Sequence, residues 1–455
     1  MQKRALLALA CFAPLALLAP AAAGQVDAAR GDSIEWEKDF EAALARAAKE
    51  KMPLFVTFTL DGEPANDRQW SDTYVDPKFV ALSRKMVCLA GNIADHAPAG
   101  QPCPKFPGLA CEQHKEVERA IRKRYLKTDL VISPQHVFAA SNGAELFRKV
   151  WEHAKGDLMR GMAMAIAGRA EASSGAEAGE AADLVSGERA RVDRLLQDLE
   201  SNNAETREGA FSALATAEDP RALQAILGKA KPENSQLVRY GAIHALGQKG
   251  NHGAIAPLLG FLGERDTKVS IYALNSLMKI GLPEPVPDLL KFLKTAPNDR
   301  VRAYALRAIA TCHPGNPEVQ KVCLQAMKGA SATLEVPAML AVFSLQPDPK
   351  VTAAVKPKLS SGSTSVRSLA AWILGKQRDP SLVPLLAKLA EEDKSLEVRE
   401  IARKTLAYCK GEEVPNYERL SATFYYEEDL SEVGWGTGGE GAREGGGPMR
   451  SRRGG

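Results

Sequence analysis

The chain has 455 residues, 45% of them hydrophobic and 25% charged, which is the make-up of an ordinary soluble protein and too much length for one compact core. Its formal net charge is only +3, so no broad field of one sign recommends nucleic acid or an anionic membrane as a partner.

Residues 1–23 have the pattern of an export leader. Lys3 and Arg4 form a basic start, Ala5 to Leu18 an apolar core, and Ala21-Ala22-Ala23 a small-residue cleavage site. Lipidation at Cys11 would leave only a stub of that core, so a cleaved signal peptide is the expectation. The mature chain is then extracytoplasmic, periplasmic or secreted. No later stretch is long and apolar enough to span a bilayer.

From Ile34 onward short helices and strands alternate. Phe40 to Lys51 repeats its apolar residues at helical spacing until Met52-Pro53 ends it, and Leu54 to Leu60 reads as a buried strand. After the turn Asp61-Gly62-Glu63-Pro64 come a helical segment, Asp76 to Leu82, and a second strand, Met86 to Ala90. Val117 to Tyr125 is helical, Val131 to Phe138 is a strand with Pro134 inside it, and Ser141-Asn142-Gly143 turns into a last strand, Leu146 to Val150. A helix from Gly156 to Ala170 closes a three-layer α/β unit. Over residues 33–168 this order, with Trp36-Glu37-x-x-Phe40, Pro53 to Phe58, Asp76-Pro77-x-Phe79-Val80 and Ser133-Pro134, resembles a thioredoxin-like domain. The resemblance implies a cis peptide bond at Pro134. It also places a Cys-x-x-Cys pair after the first strand, where this chain reads Leu60-Asp61-Gly62-Glu63-Pro64-Ala65-Asn66-Asp67-Arg68, without sulfur. Dithiol exchange is therefore not expected there.

Two cysteines, Cys103 and Cys111, flank a Pro/Gly-rich loop between the second strand and the next helix. In an exported chain the preferred reading is a disulfide between them. A four-ligand metal site of His96, Cys103, Cys111 and His114 is the alternative, drawn from the Cys111-x-x-His114 spacing, and free thiols are a third. Cys88, Cys312, Cys323 and Cys409 fall at apolar positions and read as small core residues, while His153, His244, His252 and His313 stand apart from any acid or nucleophile.

Residues 169–187 are small and acidic and mark an expected boundary between domains, as a linker or a weak helix. Beyond them a motif recurs. Thr206, Val238, Val269, Val301, Leu334, Val366 and Val398 follow one another at steps of 31 to 33 residues. Four residues after each stands an alanine (Ala210, Ala242, Ala273, Ala305, Ala338, Ala370, Ala402), and eight after each a larger aliphatic. These offsets share one helix face, where a small residue lets a neighbouring helix come close. Each motif precedes a break and a second helix, several of which open on proline: Pro220, Pro285, Pro380. Over residues 189–410 the V-R-x-x-A-x-x-A-L-G and P-x-x-V-P-x-L-L patterns resemble HEAT repeats, closest to the short ones of bilin lyases, and imply an all-α solenoid of about seven units. Arg207, Arg239, Arg302, Arg367 and Arg399 share one repeat position and are expected to pair with acids of nearby turns, Asp266, Asp299 and Asp393 among them. The tail, residues 411–455, is expected to be a disordered Gly/Arg-rich segment that forms no core, in which Tyr417, Phe424, Tyr425 and Tyr426 are placed to dock as a short strand or cap.

The fold expected is thus multidomain, a thioredoxin-like α/β domain followed by a HEAT-like solenoid. No nucleophile with its base and no phosphate loop is assembled, so no catalytic residue and no cofactor is assigned. The leading function is a non-catalytic exported scaffold that binds a protein partner, without nucleic acid. The enzyme alternatives are an oxidoreductase using Cys103 and Cys111 or a lyase-type activity of the array.

Overall fold

A computed structural model describes residues 33–126, 132–151, 153–172, 180–217, 219–248, 251–329 and 334–412, with Val414 and Tyr417. The leader and most of the tail lie outside the described residues. Among the described residues no helix is long and apolar enough to cross a membrane.

Four strands carry the first unit: β1 (Leu54–Phe58), β2 (Val87–Gly91), β3 (Gln135–Ala139) and β4 (Glu145–Val150). They form one sheet in the order β2-β1-β3-β4. β1 runs parallel to β2, and β3 is antiparallel to both β1 and β4. β1, β2 and β3 are buried at every residue, because helices cover both faces. On one face Leu54, Val56, Phe58, Val87 and Leu89 meet Phe40, Ala43 and Ala47 of α1 (Phe40–Glu50) and Val117 and Ile121 of α4 (Cys111–Ile121). On the other, Phe55, Cys88 and Phe138 meet α3 (Pro77–Ser83) and α5 (Lys155–Ala172). Between β1 and α3 the chain forms α2 (Pro64–Arg68), continued by a π-helical turn at Gln69–Thr73. The Val131 to Phe138 strand expected from the sequence begins four residues later, at Gln135, after a cis Ser133–Pro134 bond. A proline nitrogen has no hydrogen for the ladder, so pairing starts just beyond it. The β3–β4 turn closes through Ala140 N–H to Ala144 O at 2.8 Å, with Gly143 at φ +76°.

Where the sequence suggests a linker or a weak helix at 169–187, the described residues are helical. α5 runs to Ala172 and α6 spans Glu180–Asp198; residues 173–179 lie outside the described set. Helix is one of the two readings of this stretch, and its alanines and glutamates favour it. Val185 of α6 packs into the α/β core, while Val192 packs into the array that follows.

That array pairs α7 (Ala204–Leu214) with α8 (Pro220–Lys229), α9 (Gln236–Ala245) with α10 (Ile255–Gly260), α11 (Thr267–Ile280) with α12 (Val286–Thr295), and α13 (Asp299–Cys312) with α14 (Pro317–Lys328). It continues with α15 (Glu335–Ser344) and α16 (Pro349–Val355), α17 (Thr364–Lys376) and α18 (Val383–Glu392), and ends on α19 (Leu396–Cys409). Each first helix stacks on the next, α9 on α11, α11 on α13, α13 on α15, α15 on α17 and α17 on α19. The seven alanines sit at these contacts, none more than 2% exposed. Short polar residues cap the helix starts: Asn203, Asp219, Ser235, Asp266, Asn298, Asn316, Asp348 and Ser363 each accept from a first-turn amide. At the far end Tyr417 is buried, stacked on Tyr408 with ring centres 3.9 Å apart, and donates to Trp372 O at 2.9 Å. It covers the last pair of helices, as expected of a cap. Phe424, Tyr425 and Tyr426 lie outside the described residues.

Candidate metal centre

The carboxyl ends of the parallel pair β1–β2 and the start of β3 lie on one edge of the sheet. Three connections meet there: the turn after β1, the long loop from Asn92 to Ala110, and the segment ending in cis-Pro134. Beside the proline, Asn66 Nδ2 donates to Ser133 Oγ at 2.9 Å and both residues are buried. The place where the resemblance would put a thiol pair is filled by an amide and a hydroxyl that satisfy each other.

The long loop folds back on itself. Cys103 N–H donates to Leu109 O at 2.7 Å, Leu109 N–H to Phe106 O at 3.0 Å, and Pro102 bridges Ala110. Gly108 turns the chain at φ +85°, a backbone region that favours glycine. This hairpin brings Cys103 beside Cys111, the first residue of α4, and seats Phe106 in the core against the ring of His114, 4.6 Å between centres. One turn further along α4, His114 faces the same point.

His96, Cys103, Cys111 and His114 each offer a donor atom there, and the four atoms all lie within 4.8 Å of one another. Cys103 Sγ is 3.3 Å and Cys111 Sγ 4.0 Å from His96 Nδ1. The two cysteines are free thiols in the structure, not the disulfide preferred from the sequence. Both are buried, as is His114. Each imidazole is turned by a second hydrogen bond. His96 Nε2 meets Asp61 Oδ2 at 2.8 Å, and His114 Nδ1 meets Asn92 O at 2.9 Å. Asp61 is itself held by Asn92 Nδ2 at 2.9 Å and Lys105 Nζ at 2.6 Å. Burial alone would raise the Asp61 carboxyl, but the hydrogen bonds from Lys105 and Asn92 outweigh it and keep it below the usual carboxylate range. Burial also pushes the Cys103 thiol upward and the His114 imidazole downward.

A backbone amide points at one of the sulfurs. His96 N–H reaches Cys111 Sγ at 3.2 Å. Sequence reasoning listed the four donors but missed Asp61 and Asn92 as their supports. The available signal was an acid in the turn after β1 and an amide right after β2, two adjacent strand ends. The other cysteines lie elsewhere: Cys88, Cys312 and Cys323 are buried in the cores and Cys409 is half-buried near the array's end. Among the described residues, no second cluster of His, Cys, Asp and Glu donors of this kind occurs.

Of the five arginines at the shared position three meet acids, while Arg207 and Arg399 donate to the backbone oxygens of Ser201 and Asp393. Arg367 pairs bidentately with Asp393 at 2.8 and 2.9 Å, Arg239 pairs with Glu264, and Arg302 meets Asp299 at 2.6 Å. Asp266 instead caps α11 and accepts from Tyr240 Oη at 2.6 Å.

Comparison with known proteins gives four likenesses. A family described as HEAT repeats matches residues 192–275, 229–310 and 352–416, so the array is of the HEAT type. A deoxyhypusine hydroxylase of Schizosaccharomyces pombe is 31% identical over 125 residues, 26% of this chain; the match spans only 39% of that relative's length. Among solved structures, human deoxyhypusine hydroxylase in complex with glycerol is 19% identical with a TM-score of 0.28, covering 55% of this chain and 94% of that one. The complex of CpcE and CpcF of phycocyanin lyase from Nostoc sp. PCC7120 is 17% identical with a TM-score of 0.32, covering 58% and 97%.

Proposed function

We propose that this chain is an exported, non-catalytic scaffold whose HEAT array binds a protein partner and whose first domain is a thioredoxin-like frame that has lost its redox pair. The observation that carries this reading is the array itself: seven stacked first helices over one continuous core, an architecture that leaves an extended repeat surface for another chain. The strand order β2-β1-β3-β4 with β3 reversed, helices on both faces and the cis bond at Pro134 support the thioredoxin-like frame. The Asn66–Ser133 pair beside that proline supports the loss of exchange chemistry. Export rests on the basic, apolar and small-residue pattern of residues 1–23.

An oxidoreductase reading would need an exposed thiolate of lowered pKa. Cys103 and Cys111 are 3% and 1% exposed, and the Cys103 thiol is pushed upward. The hydroxylase and the lyase named above share helical repeats, a frame that hosts many functions, so neither activity carries over with it.

The test is crosslinking in the exported fraction of cells making the full chain, read by mass spectrometry. Array lysines such as Lys291 and Lys388, whose side chains are 77% and 69% exposed, should join to a small set of proteins. Those proteins should then bind the purified chain saturably. Crosslinks confined to the first domain, or partners that bind without saturation, would refute the array as the binding element.

A further inference from the structure

Two imidazole lone pairs and two sulfurs converge on one point, and one of those lone pairs has no other use. A carbonyl oxygen only accepts, so the His114–Asn92 hydrogen bond fixes the proton on Nδ1 and leaves the lone pair on Nε2. That Nε2 is buried and without a hydrogen-bond partner. Native interiors rarely leave such an atom unmatched, and an ion is one of the few things that explains it. The Asp61 carboxylate, likewise an acceptor, holds the His96 proton on Nε2 and leaves the Nδ1 lone pair facing both sulfurs. Both tautomers are therefore set by chemistry, and both present a donor to the same place.

The dimensions suit a small tetrahedral ion. With metal–sulfur bonds of about 2.3 Å and metal–nitrogen bonds of about 2.0–2.1 Å, the edges of such a shell are about 3.3–3.8 Å. The four donors span at most 4.8 Å, and His96 Nδ1 already stands 3.3 Å and 4.0 Å from the sulfurs. Closing the shell needs side-chain shifts of about 1 Å or less. Two sulfurs and two imidazoles select zinc over oxygen-seeking magnesium or calcium.

We propose that His96, Cys103, Cys111 and His114 bind one Zn2+ in a closed, structural site. On binding, each thiol gives its proton to solvent and each sulfur becomes a thiolate ligand. The His96 amide that points at Cys111 Sγ supplies a hydrogen bond suited to that charge. Four protein ligands leave no open position for water or substrate, so the site holds shape and does no hydrolysis. What it holds is the 92–110 loop, clamped between the end of β2 and the first turn of α4 at the sheet edge beside Asp61. Asp61 is a positioning residue that acts through His96. Zinc ligation also withholds both thiols from the oxidising conditions an exported chain meets.

The experiment uses the full mature chain, purified without chelator under mild reductant. Elemental analysis is expected to find about one zinc per chain, with X-ray absorption reporting two sulfur and two nitrogen neighbours. Cobalt substitution should give the strong visible bands of a tetrahedral site and a sulfur-to-cobalt charge-transfer band. Asp61→Asn should weaken zinc by about 10- to 100-fold while leaving the cobalt spectrum tetrahedral, a readout a merely structural loss would not give. Cys111→Ser should remove one sulfur neighbour. Protein with a native circular-dichroism spectrum that takes up no zinc from an equimolar solution would overturn the site, as would a Cys103–Cys111 disulfide in metal-free protein as isolated. Copper(I) that zinc cannot displace would overturn the metal's identity. An Asp61→Asn affinity equal to the parent's would overturn the role given to Asp61. None of these outcomes bears on whether the array binds a partner.

Discussion

Replacing Ala305 with leucine tests the alanine column where it is most enclosed. Ala305 is fully buried in the middle of α13, which packs against α11 on one side and α15 on the other. Leucine adds three carbons at a fully buried helix contact, so either a helix moves or the side chain leaves its preferred rotamer. Overpacking of this kind costs about 1–3 kcal/mol. For a cooperative unit of some 200 residues each kcal/mol lowers the midpoint by about 2–4 °C, giving a fall of about 2–12 °C. Stability in a stacked array is mostly nearest-neighbour, so a central lesion should also broaden the transition as the halves lose their coupling. The control is Ala256→Leu, at an exposed position on α10. Far-UV circular dichroism of the full chain, melted and titrated with urea, reads both. If Ala305→Leu melts with Ala256→Leu and the parent, the column does not mark tight helix contacts and the packing argument fails.

The first domain should not reduce insulin disulfides under a regenerating reductant; turnover that disappears on Cys103→Ser would promote the oxidoreductase alternative over the scaffold. His136, fully buried and hydrogen-bonded to Tyr74 Oη at 2.9 Å, is pushed down to about 3 by burial. The unfolded chain then binds a proton that the fold excludes, so its contribution is complete above pH 6.5 and is lost as pH falls from 6.5 toward 3, by about 1 kcal/mol per pH unit. His136→Gln keeps a partner for Tyr74 and should flatten that part of the urea-midpoint profile; an unchanged slope would contradict the assignment. Tyr417→Phe removes the hydrogen bonds to Trp372 O and Thr405 Oγ1 under the array's last helices and should cost about 1–2 kcal/mol. A variant as stable as the parent to thermal melting would mean that the hydroxyl does not fasten the cap.

The solenoid was legible because its signal repeats. One alanine at a helical offset means little, but the same offset in seven copies places every first helix, and all seven alanines are buried. Of the larger aliphatics eight residues on, only Leu406 is half-buried, because α19 ends the described pairs and no further first helix covers it. The cluster of His96, Cys103, Cys111 and His114 was legible only as four residue types. Spacings of seven, eight and three residues along a loop do not say that His96 and Cys103 meet. That depends on the hairpin at Gly108 and on Phe106 entering the core, both set by packing at a distance. The preference for a disulfide followed from the cell compartment, a prior that carries no information about two neighbouring imidazoles.

The boundary between the two halves shows what composition alone misses. Residues 169–187 look like a spacer, yet α6 contributes Val185 to one core and Val192 to the other. The array's core reaches back to Ile132 and Val150 of the first domain. Across the same junction Arg148 of β4, whose side chain is 1% exposed, meets Glu145 at 2.7 Å and Glu284 of the array at 3.5 Å. His252 of the array stands 3.2 Å from Glu145. Burial would raise the Glu145 carboxyl, but hydrogen bonds from His252 and Arg148 bring it down to about 2. Glu145 is thus held from both halves, by Arg148 of its own strand and by His252 of the array, so separating the halves would cost it one of its two hydrogen-bond donors. Apolar contact and this ion cluster therefore act together. They fix the β4 edge of the α/β domain against the first repeats, and they make the orientation of the array a property of the fold and not of a tether.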